Sequence, residues 1–180
     1  SAVDSSPEEV SRMRVDRATQ LFISVVSAKQ VDVDCQLFDA LAKPVKLLLR
    51  EWLETVNRGD DGRAIDVGVI APLETLADTF SALAACGVRD TELSDLLANT
   101  FMAQFSADIL EGHFELSSYH ISDLSAIAHA STLWNSDCDE LMSLLWQAAS
   151  PKLRDSAPHL ALVLLDAVVR GGSEELLTSE

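Results

Sequence analysis

His113, His120 and His129 fall within a 17-residue window, and histidine is the side chain most often recruited for acid–base chemistry and metal binding. Their spacing does not suit either task. No HxxxH, HxxE or HExxH pattern puts two ligands on one helical turn. His120 reads as a loop residue beside Tyr119, and His129 reads as lying inside a helix. Asp137, Asp139 and Glu140 form a small acidic cluster. A calcium loop would add alternating oxygen ligands, a glycine at its sixth position and a glutamate at its twelfth, and these are missing. The cluster reads instead as a helix cap followed by first-turn carboxylates that complement the helix dipole. The serines are not set in a GxSxG elbow. Neither GxxxxGK[ST] nor GxGxxG is present to cradle a phosphate. The sequence therefore assigns no catalytic, cofactor-binding or metal-binding residue, and the chain reads as a protein that is not an enzyme and needs no cofactor.

Cys35, Cys86 and Cys138 are far apart and odd in number, which disfavours both a disulfide framework and a zinc site. They read as buried thiols of a reducing compartment. Trp52, Trp134 and Trp146 could stack on nucleic-acid bases. Trp52 is the best placed, near Lys46, Arg50 and Arg58, but packing in a core or between repeats is the better reading of all three.

Charge narrows the choice of partner. The chain carries 29 acidic and 13 basic residues, a net charge of −16. No Lys or Arg occurs in residues 91–151, a stretch of 61 residues that holds nine carboxylates. Nine of the 13 basic residues lie in residues 12–63. Phosphate binding needs Lys or Arg, so any RNA contact is expected in the N-terminal third, at Arg12, Arg14, Arg17, Lys46 and Arg50. The acidic centre, with Glu92, Asp95, Asp123, Asp137, Asp139 and Glu140, is expected to face a basic protein. RNA is the less favoured partner.

The elements that would position these groups repeat along the chain. Leu76, Phe80 and Leu83 precede a turn and then Leu93, Leu96 and Leu97. Forty-eight residues later come Leu124, Ala128 and Ser131, a turn, and Leu141, Leu144 and Leu145. The anchors Leu76 and Leu93 are 17 apart, as are Leu124 and Leu141. Leu160, Leu164 and Ala167 lead to Leu177, again 17 beyond the first anchor. A weaker unit joins Leu21 and Val25 to Phe38 and Leu41. Helix pairs repeating at such intervals predict an all-α chain, an α-solenoid of about four helix–turn–helix units. The units span residues 6–58, 70–112, 118–150 and 156–180 of a single domain. A single irregular helical bundle is the architectural alternative.

Local signals mark the boundaries. Ser6, Pro7, Glu8 and Glu9 open a first helix. Pro44 is expected to kink or split the second helix, which extends to about Val56. Asn57-Arg58-Gly59-Asp60-Asp61-Gly62 is a loop, and its Arg-Gly-Asp is turn chemistry and not an adhesive motif. Asp90 caps a helix reaching about Leu110. Pro158 starts a helix that closes at Arg170. The helix start at Ser173-Glu174-Glu175 is unfinished, which reads as a truncated, longer solenoid or a frayed last turn. The longest apolar run, residues 160–169, is broken by Asp166 and is short of the ~20 residues of a membrane span.

The run Ile121-Ser122-Asp123-Leu124-Ser125-Ala126-Ile127-Ala128-His129-Ala130, its turn, and Asp139-Glu140-Leu141-Met142-Ser143-Leu144-Leu145 resemble a known pattern. It is similar to the degenerate helical repeats of FAST-kinase-like and RAP-domain proteins and of octotricopeptide and heptatricopeptide arrays. The resemblance covers residues 70–180, and no RAP domain lies in that span. It implies a protein of the mitochondrial matrix engaged in RNA processing or ribosome structure. Combined with the acidic centre, it leads to the expectation of a non-catalytic scaffold that binds proteins within a large assembly such as a mitochondrial ribosome. An RNA-binding helical-repeat protein of organellar RNA processing is the alternative.

Overall fold

The computed structural model describes residues 17, 20, 23, 35–58, 72–85, 89–112, 119–134 and 139–170. Among these the chain is all-α, with no strand. Its bounded helices are α1 (Cys35–Arg58), α2 (Leu73–Ala85), α3 (Thr91–Leu110), α4 (Ile121–Trp134), α5 (Asp139–Ala149) and α6 (Pro158–Arg170). A 3-10 segment, Ser150–Asp155, joins α5 to α6. Arg17, Gln20 and Ile23 are also helical, and Ile23 packs on the core. No helix among the described residues is long and apolar enough to cross a membrane.

The helix ends follow from local chemistry. The Asp90 carboxylate accepts from the Leu93 amide at 2.9 Å and caps α3, satisfying one of the amides a helix start leaves unpaired. At the other end the Glu111 amide donates to the Ala107 carbonyl at 2.9 Å and the Gly112 amide to that of Ile109 at 3.2 Å. Gly112 has φ +70°, a left-handed turn that suits glycine because it has no Cβ. Pro151 occupies the start of the 3-10 segment, and Pro158 is the first residue of α6, a position where its missing amide costs nothing.

Pro44 does not split the second helix as its ring chemistry suggests; α1 is one element through it. Proline removes the donor to the carbonyl four residues back, here that of Ala40. Ala40 and Pro44 are both exposed, so water can take the place of the lost donor. The turn at residues 59–62, the Ser6 helix start, the weaker anchors Leu21 and Val25, and Leu177 lie outside the described residues, as do Cys86 and Cys138.

Packing joins next-but-one helices. α2 lies against α4 and α4 against α6; α1 lies against α3 and α3 against α5. Sequential neighbours α2/α3, α3/α4, α4/α5 and α5/α6 also touch. Most of the described repeat anchors lie in the core, but Leu41, Leu96 and Leu160 are only half-buried. Leu76, Leu83, Leu93 and Leu97 are fully buried, and their counterparts 48 residues on, Leu124, Ser131, Leu141 and Leu145, are buried too. Phe80, Ala128 and Leu164 occupy one repeat position and all are buried. Phe38, Ala42, Val45 and Leu49 form the buried stripe of α1. Trp52, Trp134 and Trp146 are half-buried against this core.

Two substitutions probe that packing. Ala128 is fully buried, and Ala128→Leu should destabilise by about 1–3 kcal/mol, since added methylenes force neighbours off their rotamers. The Ser131 hydroxyl is buried without a hydrogen-bond partner among the described residues. Ser131→Ala should therefore be neutral or stabilising, because a solvated hydroxyl in the unfolded chain gains nothing on folding. Urea midpoints of the two variants check both.

Candidate interaction surfaces

A cluster of four charged side chains joins α1 to the start of α3. The Lys46 ammonium lies 2.6 Å from the Asp90 carboxylate and 3.1 Å from that of Glu92. The Arg50 guanidinium pairs with the second oxygen of Glu92. Asp90 thus serves twice: one oxygen caps α3 and the other holds Lys46. Burial acts to lower the Lys46 pKa, but the hydrogen bonds to Asp90 and Glu92 outweigh it and hold it above its ordinary value. The hydrogen bond from Lys46, aided by the nearby Arg50 charge, holds the Glu92 carboxyl below its usual range.

This cluster brings together residues expected to serve opposite partners. Lys46 and Arg50 were candidates for RNA, and Glu92 for a basic protein; they bind each other. Arg17 is exposed on a helix, while Arg12 and Arg14 lie outside the described residues. Asp95, Asp139 and Glu140 are exposed and Asp123 is half-exposed. They do not form one cluster by sequence position: Glu92, Asp123 and the pair Asp139–Glu140 occupy the first turns of three different helices. That placement accords with their reading as partners of the helix dipole. Asp137 and His113 lie outside the described residues. His120 and His129 are exposed. Among the described residues, no three His, Cys, Asp or Glu side chains are grouped to hold a metal.

Two concavities formed by described residues stand out, one along the row α2–α4–α6 and one where α2, α3 and the start of α4 meet. The first is an open groove of about 410 Å³. Ser81, Ala84 and Ala85 of α2 form one bank, Leu160 and Val163 of α6 the other, and Ala126, His129, Ala130 and Leu133 of α4 run along it. The second is a cavity of about 330 Å³ at the start of α2 and α4. Pro72, Leu73 and Glu74 supply one wall, Phe105 comes from α3, and Tyr119, His120 and Asp123 complete it. Tyr119 stands edge-on to Phe105 with centroids 5.7 Å apart, and Phe105 in turn lies 5.3 Å from Phe101. The Tyr119 backbone is fixed from outside by Lys152, whose ammonium donates to its carbonyl at 3.2 Å. Burial, and secondarily the negative charge of Asp108, raises the pKa of the Tyr119 hydroxyl.

Sequence reasoning found Asp90 as a cap but not as an ion-pair partner, and it did not find the Glu74–Phe105–Tyr119 cavity. Both depend on contacts between distant helices, for which no local spacing rule exists. No protein-family model, curated protein or solved structure matches this chain.

The ion-pair cluster makes a directional prediction. Asp90→Ala removes both the cap and the charge and should cost about 1–2 kcal/mol, a typical loss for a cap; Asp90→Asn keeps the cap and should cost less. Glu92 has a lowered folded pKa, so its contribution is present above the ordinary carboxylate range and is lost as pH falls through the lowered value. Lys46 has a raised one, so its contribution persists below the ordinary lysine value and is lost only as pH rises through the raised one. Urea midpoints measured down the acid limb should fall less steeply in Glu92→Gln than in the parent chain.

Proposed function

We propose that this chain is a non-catalytic helical-repeat scaffold that binds a basic protein within a larger assembly. The observation that carries the reading is the alternation of packing: α2–α4–α6 form one row and α1–α3–α5 the other. α1 makes no extensive contact with α5 or α6. Such an arrangement supports a solenoid, in which each helix pair contacts chiefly its neighbours, over a single bundle closed on itself. A row of this kind exposes a long face, and here the α2–α4–α6 face carries the open groove. Surface recognition is what repeat arrays with extended faces commonly do.

The sign of the partner follows from charge. The 61-residue stretch without Lys or Arg spans α3, α4 and α5. Complementary potentials favour a basic protein and repel phosphate. Two of the five cations that an RNA-binding reading would use are engaged with Asp90 and Glu92, which counts against that reading. Placement in a mitochondrial assembly such as a ribosome rests on the repeat resemblance alone.

Crosslinking of the full-length protein in cells, followed by separate recovery of protein and RNA adducts, tests this. Protein adducts that weaken as salt is raised, mapped to basic segments of the partner, are the expected outcome. Submicromolar, salt-sensitive affinity for isolated RNA would overturn it.

A further inference from the structure

We infer that the open groove over α4 receives an amphipathic helix of the partner, apolar on one side and flanked by Lys and Arg; this rests on the scaffold reading above and names its docking site. The groove holds about 410 Å³. Ala126 and Ala130 of α4 make its floor, Ala84 and Ala85 of α2 one bank, and Leu160 and Val163 of α6 the other. Small side chains on the floor leave room for a helix to approach α4 closely. The Ser125 hydroxyl donates to the Leu160 carbonyl at 3.3 Å, which ties the α6 bank to the floor and forms the groove before any partner arrives. The surface beside it is apolar as well. Among the described residues six large apolar side chains are exposed, and four of them are Leu133, Leu162, Val163 and Val169. Leu133 and Val163 line the groove itself. The repeat places the other two. Leu124 and Leu160 are equivalent anchors 36 apart, and the buried pairs Ala128/Leu164 and Ser131/Ala167 keep that offset. The same offset matches Ala126 with Leu162 and Leu133 with Val169, so the exposed stripe of α6 lies on the side of the row to which the groove opens. Exposed apolar surface concentrated in this way marks an interaction site, and a helix laid in a groove reads it through anchors one and two turns apart.

Charge selects the occupant. No carboxylate lines the groove; the charge sits on its flanks. Asp78 is exposed in the middle of α2, three residues before Ser81 of the lining, and so shares its face. α2 and α4 contain no Lys or Arg. Arg170, the arginine of α6, is held 2.9 Å from Asp166 on its own helix. A helix with Lys or Arg beside its apolar stripe thus meets Asp78 on one flank and no competing cation from α2 or α4. His129 is the only ionisable residue in the lining, and its imidazole can accept a hydrogen bond from such a side chain. A second copy of this chain fits less well, because each copy carries a net charge of −16 and like charges oppose close approach. Nucleic acid is disfavoured by the same sign.

The test uses the full chain, isotope-labelled for NMR, and three synthetic peptides of about 18 residues, long enough to hold a helix on binding. The first places Leu on one helical face and Lys on the other. The second replaces its Lys by Glu. The third has the composition of the first in an order that makes no face. The Leu–Lys peptide should shift signals of Ala126, His129, Leu133 and Val163 together. The Leu–Glu peptide should bind at least about tenfold more weakly, in keeping with reversed charge complementarity, and the faceless peptide should leave those signals in place. Ala126→Gln fills the floor and Leu162→Gln makes the exposed stripe polar; each should weaken Leu–Lys binding at least about fivefold, as expected when apolar contact is lost. Leu47→Gln, at an exposed position of α1, should not. Circular dichroism checks folding, and if Ala126→Gln unfolds the exposed Leu162→Gln decides alone. Equal binding by the faceless peptide, shifts spread over Asp95, Asp139 and Glu140, or no shift at all overturns the docking site. Tighter binding of the Leu–Glu peptide overturns its charge assignment. Signals that move on dilution of the chain alone, and not in Leu162→Gln, give the groove to a second copy. Nuclear Overhauser contacts from residues 171–180 to Leu133 in the free chain give it to the chain itself. Either result overturns the proposal. If the chain crosslinks to protein in cells while any of these negative results holds, the docking site alone fails. If it crosslinks to RNA and not to protein, the scaffold reading fails and the docking site with it.

Discussion

The architecture depends on one helix being packed from nearly every side. α4 touches α2, α6, α5 and α3, and Leu124, Ser125, Ile127, Ala128, Ala130 and Ser131 are all buried on it. A helix with a single apolar stripe cannot do this, because its polar face would be desolvated. α4 answers the constraint with alanine and serine. These side chains let neighbouring helices approach closely, and close approach recovers dispersion energy from many weak contacts. The equivalent positions in α2 and α6 carry Phe80 and Leu164 where α4 has Ala128. Large residues on the flanking helices and a small one on the central helix keep the row filled. The Ser125 hydroxyl also donates to the Leu160 carbonyl at 3.3 Å, a polar link between α4 and α6 that an alanine there would lose.

The other row is held differently. α1 and α3 meet through the apolar stripe of Phe38, Ala42, Val45 and Leu49 and, at its edge, through Lys46, Arg50, Asp90 and Glu92. Exposed ion pairs contribute little net stability by themselves. Asp90 is the exception, since the same carboxylate terminates a helix and binds an ammonium that is only 19% exposed. The pairing also fixes the relation of the two helices, because Lys46 must face the first turn of α3 to reach both acids. Geometry is what the charges add here, and apolar burial supplies the larger share of the energy.

The helices were legible in the sequence because their signals are local. Asp90, Gly112 and Pro158 act within one turn of chain, and the ends of α3 and α6 fall where those residues put them. Many repeat anchors were legible because burial recurs at their counterparts, as at Leu76 and Leu124, although Leu160 in the same position is only half-buried. Of the kink or split expected at Pro44, the split is absent, because a proline ring predicts the loss of a hydrogen bond but not whether solvent can replace it. Surface chemistry was the least legible. Lys46 and Glu92 are 46 residues apart, and Glu74 and Phe105 meet Tyr119 only after three helices have packed. Charge counted along a chain identifies which residues are ionised; it does not say which of them neutralise each other.

That distinction changes the meaning of the acidic centre. Part of its charge is spent inside the fold: Glu92 on Lys46 and Arg50, and Asp123, Asp139 and Glu140 beside helix-start amides whose partial positive charge offsets their own. A field assembled from helix starts is spread over the molecule and attracts cations without choosing among them. Selectivity needs a place where charge coincides with shape. Of the two concavities described, the groove is lined mainly by small and apolar residues with His129 and lacks any carboxylate, whereas the two acids at the other, Glu74 and Asp123, are themselves first-turn residues of their helices.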